Sequence, residues 1–164
     1  MVKKFFPLFM DLTEKKIVVI GGGTIASRRI KTLAEFSNHI LVVAPVVTKE
    51  IEQLITEGKI GRIEDVYGIE QLKDADIVIA ATNRQQVNQQ VLADVRSIEK
   101  KENRRILVNV VDDKECCDFY FPGIVQKEEA VIGISTCGTS PGKSKQLRKN
   151  IEEWLESESI YEKR

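Results

Sequence analysis

Gly21-Gly22-Gly23-Thr24-Ile25-Ala26 has the spacing G-x-G-x-x-A and directly follows a β-branched run, Lys16-Ile17-Val18-Val19-Ile20. In that context the first glycine permits a tight turn, the third lets a pyrophosphate approach the backbone, and the alanine lets helix and strand pack closely. The first amides of the helix then face the phosphates. A plain glycine turn would use the same residues. Three other groups carry polar chemistry. Ala80-Ala81-Thr82-Asn83 ends an apolar run; its small residues leave room for a nicotinamide ribose, or Asn83 simply caps the next helix. Asn109-Val110-Val111-Asp112-Asp113 ends another run, where paired carboxylates either start a turn or supply a proton acceptor. Ser135-Thr136-Cys137-Gly138-Thr139-Ser140-Pro141-Gly142-Lys143 is rich in hydroxyls and opens a helix, which suits an anion or a plain cap followed by a solvated basic end.

Alternating elements must position these groups. Strand patterns at Lys16–Ile20, Ile40–Ala44, Ile60–Ile63, Asp76–Ala81 and Ile106–Val111 are separated by helical patterns at Thr24–Ser37, Thr48–Gly58 and Arg84–Lys100. This order predicts an α/β fold, a Rossmann-like parallel sheet with helices on both faces. The style changes after Asp112. Phe119–Val125 and Ala130–Ser135 read as a hairpin separated by Gln126–Glu129, and Pro141 to about Ser157 as a helix opened by Ser140. The expected division is a dinucleotide-binding domain over 1–113, a hairpin segment over 114–142 and a C-terminal helical segment over 143–164.

Composition narrows the function classes. The 164 residues carry 25 basic and 25 acidic side chains, a balance that argues against a dedicated nucleic-acid binder. No apolar run approaches a membrane span. The opening Met1–Phe9 is too short in its apolar stretch for a signal peptide and is followed by Asp11 and Glu14. Cys116, Cys117 and Cys137 make no disulfide framework and suit a reducing, cytoplasmic setting. With His39 they also lack metal-ligand spacing, so no metal site is expected. At Val42-Val43-Ala44-Pro45-Val46 neither an acid nor an arginine stands where the adenosine ribose is usually held. The residues therefore leave NAD and NADP both open.

Taken in order, the motifs resemble one family, the precorrin-2 dehydrogenases and sirohydrochlorin ferrochelatases, including the dehydrogenase module of siroheme synthases. The marks are Phe6-Pro7-Leu8-Phe9, Val19–Gly23 with Ala26 and Arg28, Val42–Pro45, Ile79–Asn83 with Asn88, Val108–Asp112, Phe119–Pro122 and Ile134–Pro141. The resemblance implies oxidation of precorrin-2 to sirohydrochlorin with NAD as hydride acceptor, Asp112 as the catalytic group, and a homodimer joined through the segment after that aspartate. Some members also insert ferrous iron. The abbreviated tail, ending at Arg164, leads to the expectation of dehydrogenase activity without efficient iron insertion. Thr136 and Cys137 stand where relatives often carry serine and glycine. The expected cofactor contacts are Gly21, Gly23, Thr24, Ile25, Pro45, Val46, Thr82 and Asn83. The expected contacts to the polycarboxylate substrate are Ser135, Thr136, Thr139, Ser140 and Lys143. Two other readings use the same core: a nucleotide-sensing regulatory domain without catalysis, and a dehydrogenase for another small acid.

Overall fold

A computed structural model describes residues 5–137 and 140–157. Five parallel strands form the main sheet: β1 (Ile17–Ile20), β2 (Ile40–Val43), β3 (Gly61–Ile63), β4 (Ile77–Ala80) and β5 (Leu107–Val110). Their order is β3-β2-β1-β4-β5. Helices α1 (Thr24–Leu33), α2 (Lys49–Thr56) and α3 (Gln85–Glu102) lie between them. Because crossovers in such sheets are right-handed, reversing direction after β3 puts α1 and α2 on one face and α3 on the other. The expected doubly wound architecture is therefore present. Ile17, Val19, Val42, Val78, Ile79 and Val108 are fully buried, as strands covered on both faces require.

Contacts divide the chain into two compact units. One is Phe9–Phe119; the other holds residues 5–8 together with the described residues from 120 onward. The second contains an antiparallel hairpin, β6 (Gly123–Lys127) and β7 (Ala130–Ile134), and helix α4 (Pro141–Ser157). Its core is Val125, Ile134 and Leu155, with Ile132 and Ile151 packed against them. Phe5 stacks on Tyr120 at 3.9 Å between centroids. Among the described residues no helix is long and apolar enough to cross a membrane.

Several boundaries differ from the sequence reading. Helix α1 stops at Leu33, short of Ser37, because Glu35 and Phe36 donate three residues back and the Ser37 hydroxyl accepts the His39 amide at 3.1 Å. The hairpin turn is only Glu128–Glu129, since Gln126 and Lys127 pair with Val131 and Ala130; Glu128 takes the left-handed conformation at φ 51°. Short 3₁₀ turns at Ile69–Leu72 and Lys114–Cys116 carry no strong periodicity in the sequence and went unread.

The strand expected to start at Phe119 starts at Gly123 instead, because residues 117–119 are committed to the edge of β5. In a parallel strand, alternate residues point both backbone groups to the same side. Val108 and Val110 turn theirs away from β4. The Asp118 amide donates to the Val108 carbonyl and the Asp118 carboxylate accepts the Val108 amide, each at 2.9 Å. The Cys117 sulfur lies 3.2 Å from both the nitrogen and the oxygen of Val110. Asn109, buried in β5, donates to the Phe119 carbonyl at 2.7 Å and accepts from Arg29 of α1. The exposed edge, a liability in any sheet, is thus closed by its own following segment.

Asp118 also pairs with Arg96 at 2.8 Å and Arg105 at 2.7 Å, and both arginines pair with Glu99. Burial alone would raise the Glu99 pKa. Hydrogen bonds from Arg96 and the Ile106 amide, with both guanidiniums, outweigh it and hold the carboxyl below its ordinary value. A depressed pKa stabilises the fold above the unfolded-state value, and that contribution is lost as pH falls through the folded-state one. Asp118→Ala removes a partner from Val108, Arg96 and Arg105 together and should cost about 1–3 kcal/mol. Urea unfolding checks this, and an unchanged midpoint would show that the edge closure does not depend on Asp118.

Candidate functional site

Three loops meet at the carboxyl end of the Phe9–Phe119 sheet, where doubly wound proteins bind ligands. The first is the glycine turn between β1 and α1. Gly21 has φ +118°, and a Cβ there would stand 2.4 Å from the Ala81 carbonyl oxygen. Its amide donates to the Val43 carbonyl at 2.9 Å. A Cβ on Gly22 would lie 2.3 Å from the Val46 oxygen, while the Thr48 amide donates to the Gly22 carbonyl at 3.0 Å. Gly21 and Gly22 therefore let the loops after β4 and β2 close onto the turn. The motif treats the middle glycine as its variable position; the unbroken triple glycine is the sequence signal for this packing role.

Gly23 is different. It has extended backbone, precedes α1 as its N-cap, and a Cβ there would meet nothing within 4 Å. Gly23, Thr24 and Ile25 are exposed, with their amides in the first turn of a helix, where no carbonyl of the helix itself can accept them. No acidic side chain lies in that turn. Open space in front of unspent amides at the positive end of a helix fits a pyrophosphate. Pro45 and Val46 are exposed beyond β2.

The loop after β4 is organised by Asn88. This residue is fully buried in α3, in the same stripe as Val91 and Val95. Its side chain accepts the Thr82 amide at 3.1 Å and donates to the Thr82 carbonyl at 3.1 Å. The Thr82 hydroxyl lies 2.8 Å from the same amide group and accepts the Arg84 amide at 3.1 Å. Arg84, rather than Asn83, stands at the N-cap of α3. Asn83 is exposed. Asn88 was noted in the sequence without a role; an amide within an apolar helical stripe is the signal for a buried clamp.

Asp112 lies two residues beyond β5, whose Val110 pairs with Ala80 and whose next residue, Val111, donates to the Ala80 carbonyl at 3.0 Å. It therefore borders the Ala81–Thr82 loop. Asp112 is exposed and makes no hydrogen bond or ion pair among the described residues. Asp113 has the opposite fate: its carboxylate accepts the amides of Glu115 at 3.1 Å and Cys116 at 3.3 Å, capping the 3₁₀ turn.

The hydroxyl-rich segment belongs to the other unit. Ser135 is exposed, and its hydroxyl accepts the Cys137 amide. The Thr136 hydroxyl lies 3.0 Å from the Ser140 carbonyl and 2.8 Å from the Ser144 hydroxyl. The Ser140 carbonyl accepts the Ser144 amide and so starts α4. Thr139 lies outside the described residues. Lys143 and Lys145 are exposed without ion pairs among the described residues, whereas Arg148 pairs with Glu152, and Lys149 with Glu153 at 3.4 Å.

A family model described as "Putative NAD(P)-binding" matches residues 8–123. The chain belongs to that family. It is also 37% identical over 153 residues to a siroheme synthase 1 of Yersinia enterocolitica, covering 93% of this chain and 31% of the relative. To siroheme synthase 1 of Serratia proteamaculans it is 33% identical over 151 residues, covering 92% of this chain and 30% of the relative. The chain thus spans under a third of the length of these curated relatives. Among solved structures it is similar to SirC, a precorrin-2 dehydrogenase, with a TM-score of 0.75 and 29% identity, covering 93% of this chain and 74% of that one. These likenesses agree with the family that the motifs resemble.

The glycines separate fold from binding. Gly23→Asp has room for its side chain and an acceptable cap, but sets a carboxylate in the open space where a pyrophosphate is expected. It should fold normally and weaken dinucleotide binding by about tenfold or more, the scale of losing a charge-assisted contact. Gly21→Ala should instead unfold more readily. Calorimetric titration beside thermal melts distinguishes the two, and dinucleotide binding by Gly23→Asp equal to the parent's would move the phosphates elsewhere.

Proposed function

We propose that this chain oxidises precorrin-2 to sirohydrochlorin with NAD. The observation that carries the reading is the pairing, on one sheet edge, of an open helix start beyond Gly23 with an uncommitted carboxylate at Asp112. The likeness over nearly the whole chain to a precorrin-2 dehydrogenase supports the substrate.

Gly21, Gly23, Thr24 and Ile25 would hold the pyrophosphate, Pro45 and Val46 would border the adenosine, and Thr82 and Asn83 would face the nicotinamide ribose. When bound, NAD supplies the hydride acceptor. The chain's own part is to orient the macrocycle and take the proton that must leave with the hydride. Asp112 is free to do so, because none of its oxygens is spent on a hydrogen bond or ion pair among the described residues. It would also hold the pyrrole N–H groups in register, so that removing it loses both proton transfer and positioning. Asp113 is spent as a cap. Ser135, Thr136, Thr139, Ser140 and Lys143 would meet the substrate's carboxylates. Lys143 and Lys145 are the cations of that helix without an ion pair among the described residues; Thr136 would contribute while it also pins the start of α4.

Asp112→Ala should keep the fold and NAD binding and lower turnover by about 10²-fold or more, the scale of general acid–base catalysis. Asp113→Ala should chiefly destabilise, by about 0.5–2 kcal/mol for a lost cap. The check is the initial rate of sirohydrochlorin formation under saturating NAD, beside urea unfolding. Near-normal turnover in Asp112→Ala, or a larger loss in Asp113→Ala, would sink the assignment.

The proposal includes a homodimer formed through residues about 114–142, working in the cytoplasm. Ile124, Val131 and Ile132 of the hairpin remain half-exposed in the single chain, and a two-stranded hairpin has little stability alone. No disulfide joins Cys116, Cys117 or Cys137 among the described residues, which suits a reducing compartment. Light scattering at micromolar concentration should give twice the chain mass, and a monomer would overturn the dimer.

A further inference from the structure

The adenosine end of the dinucleotide site lacks the acid that usually selects a free 2′-hydroxyl, and Arg62 reaches that place from the neighbouring strand. Arg62 sits in β3 opposite Val42, and its side chain is 16% exposed. Its Nε and Nη2 donate to the Ala44 carbonyl, both at 3.3 Å, and Nη2 donates to the Pro45 carbonyl at 2.9 Å. These carbonyls form the exit of β2, where the adenosine ribose lies in doubly wound domains. The guanidinium is therefore fixed at the ribose end. Its two Nη1 donors make no bond among the described residues. Among the described residues its one acidic partner is Glu64 at 3.4 Å, itself 73% exposed and with no other partner there.

We propose that Arg62 lets this site accept the 2′-phosphate of an adenosine dinucleotide, so that the chain binds NADP as well as NAD. The inference rests on the dinucleotide site proposed above and concerns its other end. Backbone carbonyls hold the guanidinium in place but leave its charge uncancelled, and Glu64 can swing into water when a phosphate displaces it. An arginine at this point is the chemistry that accommodates a 2′-phosphate, as an acid there is the chemistry that rejects one.

Calorimetric titration of the full chain with NAD and NADP reads this without substrate or turnover. The two dissociation constants should lie within about tenfold of each other, a gap of about 1.4 kcal/mol. Arg62→Gln should weaken NADP by about tenfold or more while leaving NAD nearly unchanged, as loss of one charge-assisted contact predicts. Glu64→Gln, a change at an exposed side chain that preserves the fold, should tighten NADP alone. A wild-type preference for NAD beyond tenfold overturns the proposal. So does an Arg62→Gln variant that loses both nucleotides equally, which is the mark of a loop prop. An unchanged NADP-to-NAD ratio in Glu64→Gln overturns it too. Binding of neither nucleotide would remove the dinucleotide site itself; binding of NAD alone would leave that site standing and remove only the role of Arg62.

Discussion

A close approach of backbone to backbone at the end of the central strand decides the shape of the site. The Ala81 carbonyl and the glycine turn occupy space that no side chain could share, because a Cβ on Gly21 would fall 2.4 Å from that oxygen. One step along, a Cβ on Gly22 would fall 2.3 Å from the Val46 oxygen. The central strand β1 thus ends in a turn thin enough for the loops of its two neighbours, β2 and β4, to close over it. Adding one methyl group at either position would push a loop outward and widen the cleft. At Gly23 the same economy of side chain serves another end: nothing lies beyond it, and the helix amides look into open space. Three consecutive glycines therefore stand in different surroundings, the first two closed in by neighbouring loops and the third facing open space.

A second constraint fixes the far side of the cleft. β5 is the edge strand of its sheet, so the outward groups of Val108 and Val110 need other partners. The segment from Asp113 to Phe119 supplies them by folding back, with the Asp118 carboxylate and Cys117 sulfur standing in for backbone groups. The turn that makes this reversal contains both aspartates. Its inner member, Asp113, spends its oxygens on the amides that start the 3₁₀ turn. Its outer member, Asp112, makes no hydrogen bond or ion pair among the described residues. A carboxylate with a fixed backbone and no partner is suited to proton transfer, since no internal bond must break before it acts.

Much of this was legible in the sequence, for identifiable reasons. The buried strands announce themselves because parallel strands covered on both faces read as unbroken β-branched runs, as Ile17–Ile20 and Ile77–Ala80 do. The glycine turn is legible because its spacing has one purpose in a strand–turn–helix context. What stayed hidden depends on residues distant in sequence. Asn88 reads as one polar residue in a helix until Thr82 is seen to need three of its bonds. Phe119–Phe121 has strong strand propensity, yet the edge of β5 captures its first residue, and tertiary pairing overrides local preference. Arg62 is not legible as a partner of the β2 exit because its side chain crosses from the neighbouring strand, far from that exit in sequence.

The charge pattern of α4 shows how placement changes the meaning of a cluster. In the sequence, Lys143, Lys145, Arg148 and Lys149 form one basic run. On the helix, Arg148 and Lys149 each find a glutamate four residues later, an arrangement that stabilises the helix surface by a few tenths of a kcal/mol. Their charge is largely cancelled where they stand. Lys143 and Lys145 have no such partner and sit in the first turns, where a helix dipole disfavours cations. Two uncompensated lysines at the unfavourable end of a helix cost stability rather than add to it. A polyanion bound there would reverse the sign, because the amides and the lysines would then attract the same ligand.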